Sequence, residues 1–337
     1  MIVWVYFSVI DFMNYNWKEN KHMEYETTNT SSPFDDAHRT LINDCPRFII
    51  PIVNEVFHRE HSKDETVMVL NNEFFITKQD GKQKERITDT NFLIGNMHYH
   101  LEVQSSADGS LMYRIFEYDS QIALQDSAIS DNKLVVKFPN SAILYLRHNK
   151  NTPNHMEVEI HAPGAVCTYR IPVMKVQRYS VDEIFSKGLF FLIPFHIFAY
   201  EQDMEAYEKD SEKLSELLCV YEGIIERLDT CVSEHHINEY EKCMLIDMSK
   251  KVLEHLTRKY SRVKEKVGSI MGGKILDYEA KDILNQGRAE GRAEGDRQRL
   301  VFMVQKKHQR GDSVEKIADD LMEDIAVIER IIAEMNV

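Results

Sequence analysis

Three things are scarce in this 337-residue chain, and each scarcity removes a class of function. Its five cysteines (Cys45, Cys167, Cys219, Cys231 and Cys243) form no CxxC pair and no zinc-ligand spacing. An odd, dispersed set of this kind argues against a disulfide framework or a structural zinc site and reads as reduced, cytosolic thiols. Long apolar runs are also missing. The apolar start, Met1 to Ile10, stops at Asp11, short of the roughly 20 residues a membrane helix needs. It has neither the basic region nor the small-residue cleavage site of a secretory signal. A soluble, cytoplasmic protein with no membrane partner is expected, and a true start at Met13 or Met23 is an equal reading of this segment.

The third scarcity is positive charge. Lys and Arg number 41 against 55 Asp and Glu, a net charge of −14, whereas the footprint of a nucleic-acid binder is basic. The deficit is uneven, however. Residues 1–76 carry 6 basic and 12 acidic side chains, residues 77–187 carry 13 of each, and residues 188–337 carry 22 and 30. The neutral middle is therefore where a phosphate-handling site is to be sought, and the acidic total implies weak, salt-sensitive DNA affinity unless the fold gathers Lys82, Lys84, Arg86 and Arg114 on one side.

What is present suffices for a core. Hydrophobic residues make up 43% and charged residues 28%, a mixture that excludes wholesale disorder. The length exceeds one typical domain of about 100–200 residues, so more than one unit is expected. Residues 14–33 are polar, and with the apolar start residues 1–33 read as a poorly ordered lead-in. Order begins near Pro33-Phe34-Asp35-Asp36, with acids in a first helical turn. Asp44-Cys45-Pro46 suggests a restart capped by Asp44, giving a bent helical segment to about Phe57.

The period then changes from helical to alternating. Thr66–Leu70 and Glu73–Thr77 read as strands, followed by the Asp80-Gly81 turn signal. Arg86–Ile94 and His98–Gln104 read as a hairpin closed by Gly95-Asn96. Leu111 to about Leu124 is an amphipathic helix, with Leu111, Ile115 and Ile122 on one side and Arg114, Glu117, Tyr118 and Gln121 on the other. Leu134–Phe138, Ala142–Leu146, Met156–Ile160 and Thr168–Val173 are further strands, and Ser180-Val-Asp-Glu183 has the spacing of a capping box. The apolar stretch Gly188–Tyr200 is too short to span a membrane and reads as a core seam or docking segment. From residue 201 the pattern is helical. It includes Gly287-Arg-Ala-Glu-Gly-Arg-Ala-Glu-Gly295, whose glycines share a face that a second helix could approach, and two short acidic helices that suit packing or oligomerisation better than phosphate contacts.

The hairpin carries the chemistry. Residues i and i+2 of a strand share a face, so Glu102 and Gln104 point together while Val103 points the other way. Side chains facing each other across a hairpin come within roughly 5 Å, so Asp89 and Glu102 can converge on one cation. Two carboxylates suit an oxygen-ligated Mg²⁺. Such an ion activates water and neutralises charge on a phosphate. His98 and His100 share the face of Glu102, but hairpin histidines of this kind are expected only to pack or hydrogen-bond.

The pattern resembles the PD-(D/E)XK nuclease superfamily, and within it the recombination-promoting nuclease branch, also described as transposases. The resemblance rests on Phe34-Asp-Asp-Ala-His-Arg39, Asn54-Glu-Val-Phe57, Thr88-Asp89, Tyr99-His-Leu-Glu-Val-Gln104, Arg114-Ile-Phe-Glu-Tyr-Asp-Ser-Gln-Ile122 and the Gly-Arg-Ala-Glu-Gly tail. It covers roughly residues 34–335. It implies an α/β fold with a restriction-endonuclease-like mixed sheet flanked by helices over residues 34–200. A mainly helical region would follow over 201–286, then the glycine-repeat helix and short helices of 287–337. It further implies a Mg²⁺-dependent DNA endonuclease linked to DNA transfer or mobile elements. Asp89 and Glu102 would be the metal-binding carboxylates, and Glu55 an accessory ligand or orienting group.

The chain departs from the superfamily at Gln104, where lysine is usual, although Glu-x-Gln is common in this branch. An amide can orient a water or donate to a phosphate oxygen, but it cannot carry a proton at neutral pH. Arg114 would then supply the missing charge, with Tyr118 one turn on. Two other readings stand beside the nuclease. One is a nuclease-like scaffold that no longer cleaves and acts through DNA or protein binding. The other is a homo-oligomer formed through the helical C-terminal region.

Overall fold

The computed structural model describes residues 33–70, 73–77, 83–87, 90–105, 109–125, 127–130, 132–272 and 276–335. The expected lead-in, the turn at 79–82 with Lys82, and Thr88-Asp89 lie outside the described residues. Residues 33–337 belong to one compact unit.

The chain enters through helix α1 (Pro33–Asp44), a 3-10 turn at Pro46–Phe48 and helix α2 (Ile49–Phe57). Asp35 and Asp36 occupy the first turn of α1, where the unpaired N–H groups favour negative charge. The bend falls where expected, but Asp44 is not its cap. Asp44 still belongs to the last turn of α1, and Cys45 precedes the 3-10 turn with no side-chain cap. His58 ends α2 in the left-handed conformation (φ 53°).

The central sheet has six strands: β1 (Val67–Val69), β4 (Thr90–Ile94), β5 (Met97–Gln104), β8 (Asn140–Tyr145), β10 (Ala165–Lys175) and β9 (His155–Ala162), in that spatial order. β1, β4 and β5 pair antiparallel, β5–β8 and β8–β10 pair parallel, and β9 returns antiparallel at the edge. A parallel neighbour requires a crossover, and helix α3 (Leu111–Gln125) provides it between β5 and β8. Short ribbons are formed by β2 (Glu73–Thr77) with β3 (Gln83–Ile87) and by β6 (Ala128–Ser130) with β7 (Lys133–Val135). The single strand expected over 86–94 is thus two. Residues 83–87 pair with β2 while 90–94 pair with β1 and β5, so the chain must change partners between them. The strand expected over 134–138 ends at Val135, and all of residues 132–138 are exposed.

Strand parity divides the sheet into two faces. Tyr99, Leu101, Val103, Ala142 and Leu144 enter the main core with α1 and α2. Ile143, Tyr145 and Ile171 face the other way and pack with Leu111 and Ile115 of α3.

Helix α4 (Val181–Ser186) opens with the expected capping box, Ser180 with Glu183. The apolar stretch becomes a 3-10-rich segment, Phe190–Asp203, in which every residue from Phe191 to Phe198 is buried. It is a core seam. Helices α5 (Met204–Lys209), α6 (Ser211–Ser233), α7 (Glu239–Leu256) and α8 (Ser261–Ile270) follow. The main core runs from Phe34 to Met271, across the boundary expected at residue 200. Among the described residues, no helix is long and apolar enough to cross a membrane.

Helix α9 (Leu276–Gln309) carries the glycine repeat and leads to α10 (Val314–Leu321) and α11 (Ile325–Met335), which close on Val304 through Ile317, Ile328 and Ile331. The glycines are not equivalent. A Cβ built on Gly287 would meet the Tyr240 ring of α7 at 2.4 Å, whereas one on Gly295 meets nothing. What approaches Gly287 closely is an aromatic ring of the same chain. Gly287→Ala should therefore lower stability by about 1–3 kcal/mol through overpacking. Gly295→Ala should raise it by up to about 1 kcal/mol through helix propensity. Urea unfolding of the two variants distinguishes these opposite signs.

Candidate functional site

The face of β5 opposite the main core carries His100, Glu102 and Gln104, all buried. Helix α3 lies over it with a stripe of buried residues at helical spacing: Leu111, Ile115, Tyr118, Asp119 and Ile122. Arg114 stands beside this stripe and reaches the strand by its length. Its Nη2 donates to Glu102 Oε1 at 2.7 Å and to Gln104 Oε1 at 3.2 Å, so one guanidinium orients both side chains of the Glu-x-Gln pair.

The other side of Glu102 faces an imidazole. His100 Nε2 lies 3.7 Å from Glu102 Oε2, and His100 Nδ1 lies 2.7 Å from Asp119 Oδ1. Asp119 is fully buried and also accepts from Ser141 Oγ at 2.6 Å and from the Tyr169 hydroxyl at 3.3 Å. A continuous polar chain thus runs Glu102–His100–Asp119–Tyr169 across β5, α3 and β10. Tyr118 closes it on one side, its ring edge-on to His100 at 5.9 Å.

Burial alone would push His100 down, but its contacts with Asp119 and Glu102 outweigh that and raise it to about 9, so it is an imidazolium at neutral pH. Burial would likewise raise Glu102. His100 and Arg114 overcome this and hold it below the usual carboxylate range. Burial and the charge of Asp119 push the Tyr169 phenol far up, which keeps it a proton donor. Behind the sheet, His38 of α1 is fully buried with Nε2 3.1 Å from Thr90 Oγ1. Burial first, then Arg39, pull it down to about 3 against the opposing pull of Glu102, leaving it neutral. The cluster on the α3 face pairs two carboxylates with two cations, the arrangement that makes buried charge tolerable.

Two atoms in this cluster are buried without a hydrogen bond: Glu102 Oε2 and His100 Nε2. Glu102 Oε2 makes no hydrogen bond and has His100 Nε2 3.7 Å away, so it is the Glu102 oxygen that a divalent ion would take, displacing the imidazolium contact. Gln104 points to the same face but is held by Arg114. Among the described residues, no group of three or more His, Cys, Asp or Glu is arranged to hold a metal ion. Asp89 lies outside the described residues. The strand that follows it begins at Thr90, which pairs with Leu101, the residue before Glu102.

The remaining expected site residues are distributed differently. Glu55 accepts from the Tyr179 hydroxyl at 3.2 Å and from Lys187 Nζ at 2.6 Å, and it is not joined to Glu102. Its place near the end of α2 turns it toward the segment after β10. Tyr118 is buried at 4% exposure rather than part of a polar outer face, because position 118 falls on the Leu111–Ile115–Ile122 stripe. His98 hydrogen-bonds Asn91 across the hairpin, as expected of a packing histidine. His100 goes beyond that expectation, since it bridges Glu102 and Asp119.

Asp119 is the member of this cluster that the sequence pattern does not single out. The available signal is its spacing: an acid eight residues after Leu111 and four after Ile115 sits on the buried stripe and needs a cationic partner. Compared with protein-family models, curated proteins and solved structures, the chain matches none.

Proposed function

We propose that the chain is a Mg²⁺-dependent DNA endonuclease of the restriction-endonuclease-like class, related to the recombination-promoting nucleases. The observation that carries the reading is the buried Glu102. One of its oxygens is held by Arg114, and the other makes no hydrogen bond and faces His100 Nε2 at 3.7 Å. The order of elements supports it: helices α1–α2, the antiparallel strands β1, β4 and β5, the crossover α3 and the parallel strand β8. Glu102 and Gln104 stand on β5, and Asp89 immediately precedes β4 in the chain.

In this reading, Asp89 and Glu102 hold the ion. When bound, the ion would position the attacking water, make it more acidic than bulk water, and supply positive charge for the phosphate. Arg114 fixes the Glu102 rotamer and brings a permanent cation to the mouth of the site, where its side chain is 27% exposed. Gln104 orients the attacking water or a phosphate oxygen through its amide. His100 and Asp119 hold Glu102 ionised and immobile, acting as positioning residues.

Plasmid nicking by the purified protein with Mg²⁺ or EDTA tests the reading. Arg114→Ala should lower the rate by about 10²-fold, the scale for removing one electrostatic stabiliser, and Arg114→Lys should restore part of it. Equal rates in wild type and Arg114→Ala would remove that role.

A second reading is favoured by one observation. Glu102 already has cations on both sides, Arg114 at 2.7 Å and His100 at 3.7 Å, and the usual lysine is Gln104. A site neutralised from within suits a scaffold that binds DNA or protein without cleaving. DNA retention in a gel shift, with no Mg²⁺ binding by calorimetry, would favour it.

A further inference from the structure

The chain is acidic overall, yet residues 132–181 carry seven Lys or Arg against only Glu157 and Glu159, and none of residues 132–156 is acidic. This basic stretch begins with the exposed segment 132–138, Asn-Lys-Leu-Val-Val-Lys-Phe. Lys133 and Lys137 are exposed and form no ion pair among the described residues.

Aromatic rings surround the same segment. Phe138 is 38% exposed and stacks on Phe116 of α3, 37% exposed, with ring centroids 6.2 Å apart and planes 18° from parallel. Phe138 also touches Tyr169 at 5.6 Å, and Tyr113, one turn before Phe116, is 80% exposed. The Tyr169 hydroxyl ends on Asp119, so the exposed rings are continuous with the buried chain that holds Glu102. Arg114 and Phe116 lie two residues apart on α3.

Exposed rings beside exposed lysines form the recognition chemistry of single-stranded nucleic acid. Every base offers a π-face for stacking, while lysines track the phosphates. In a duplex the base faces are hidden in the stack, so rings add little there. We propose that the face formed by Phe116, Phe138 and segment 132–138 binds unpaired bases of single-stranded DNA, with phosphates on Lys133 and Lys137, and leads that strand toward Glu102. The proposal rests on the DNA reading above and narrows its substrate to DNA with single-stranded character.

The test is fluorescence anisotropy with the full-length protein in EDTA, using a labelled oligothymidine strand and a labelled duplex. The strand should bind more tightly than the duplex. Phe116→Ala with Phe138→Ala should weaken strand binding at least about fivefold, the low end for losing aromatic stacking, whereas Phe138→Tyr should retain it. Lys133→Glu with Lys137→Glu should weaken binding and flatten its salt dependence. Unchanged strand binding in the double ring variant would overturn the proposal. Equal affinity for duplex, or a dimer in sedimentation that Phe138→Ala dissociates, would do the same, the latter assigning the face to a second copy of the chain. Metal-dependent cleavage with strand binding indifferent to the rings sinks this proposal and leaves the nuclease reading standing. Ring-dependent strand binding with no cleavage does the reverse.

Discussion

Replacing His100 with alanine is expected to destabilise the fold by about 3–5 kcal/mol, the cost of leaving buried charges without their partner. The imidazolium stands between Glu102 and Asp119, which are 4% and 0% exposed. Without it, among the described residues Asp119 keeps the Ser141 and Tyr169 hydroxyls and Glu102 keeps Arg114. The pH dependence has a definite sign. The value for His100 rises from 6.5 to about 9 on folding. Its stabilisation is therefore fully present below about pH 6.5 and lost as the pH climbs through 9. Wild-type stability should fall over that window by up to about 3 kcal/mol, since each tenfold gain in proton affinity on folding is worth about 1.4 kcal/mol. In His100→Ala this fall should be absent. Glu102 moves in the opposite direction on folding, so its contribution holds above the ordinary carboxylate range and fades on acidification. Urea unfolding of both proteins at pH 6 and pH 9.5 reads these differences, and parallel curves for the two would show that His100 is not the charged bridge.

The second large effect concerns Glu102. Glu102→Gln keeps the size of the side chain and one acceptor oxygen for Arg114 but removes the negative charge. Cleavage should fall by about 10³-fold or more, in line with losing a group that stabilises transition-state charge. The fold should survive better than in His100→Ala, because His100 keeps its hydrogen bond to Asp119. Loss of cleavage with retained folding separates the role of Glu102 in the reaction from its role in packing. A variant that cleaves as well as wild type would place the chemistry elsewhere.

Much of the architecture is legible in the residues because period and turn chemistry are local. The Gly95-Asn96 hairpin, the α3 helix, the Ser180–Glu183 capping box and the buried run Phe191–Phe198 all follow from neighbours in sequence. What is not legible depends on partners far along the chain. Residues 86–94 alternate like one strand, yet they divide between two partners. Tyr118 reads as polar in sequence because its hydroxyl outweighs its position on an apolar stripe. The Glu-x-Gln pair can be placed on one face by parity alone, and Arg114 can be placed near it. Parity also puts His100 there, but only the packing of α3 supplies Asp119 and makes that histidine a cation. Glu55 shows the converse: its place on the first helical segment suggests the site, while Lys187 and Tyr179 lie 132 and 124 residues away and claim it instead.

In the proposed function, Asp89 and Glu102 form a divalent-metal centre that hydrolyses DNA. The most direct measurement is plasmid cleavage by the purified full-length protein, with Mg²⁺ or with EDTA, beside Asp89→Ala. Nicking that requires Mg²⁺ and disappears in Asp89→Ala is the predicted result. Cleavage that persists both in EDTA and in Asp89→Ala would contradict it.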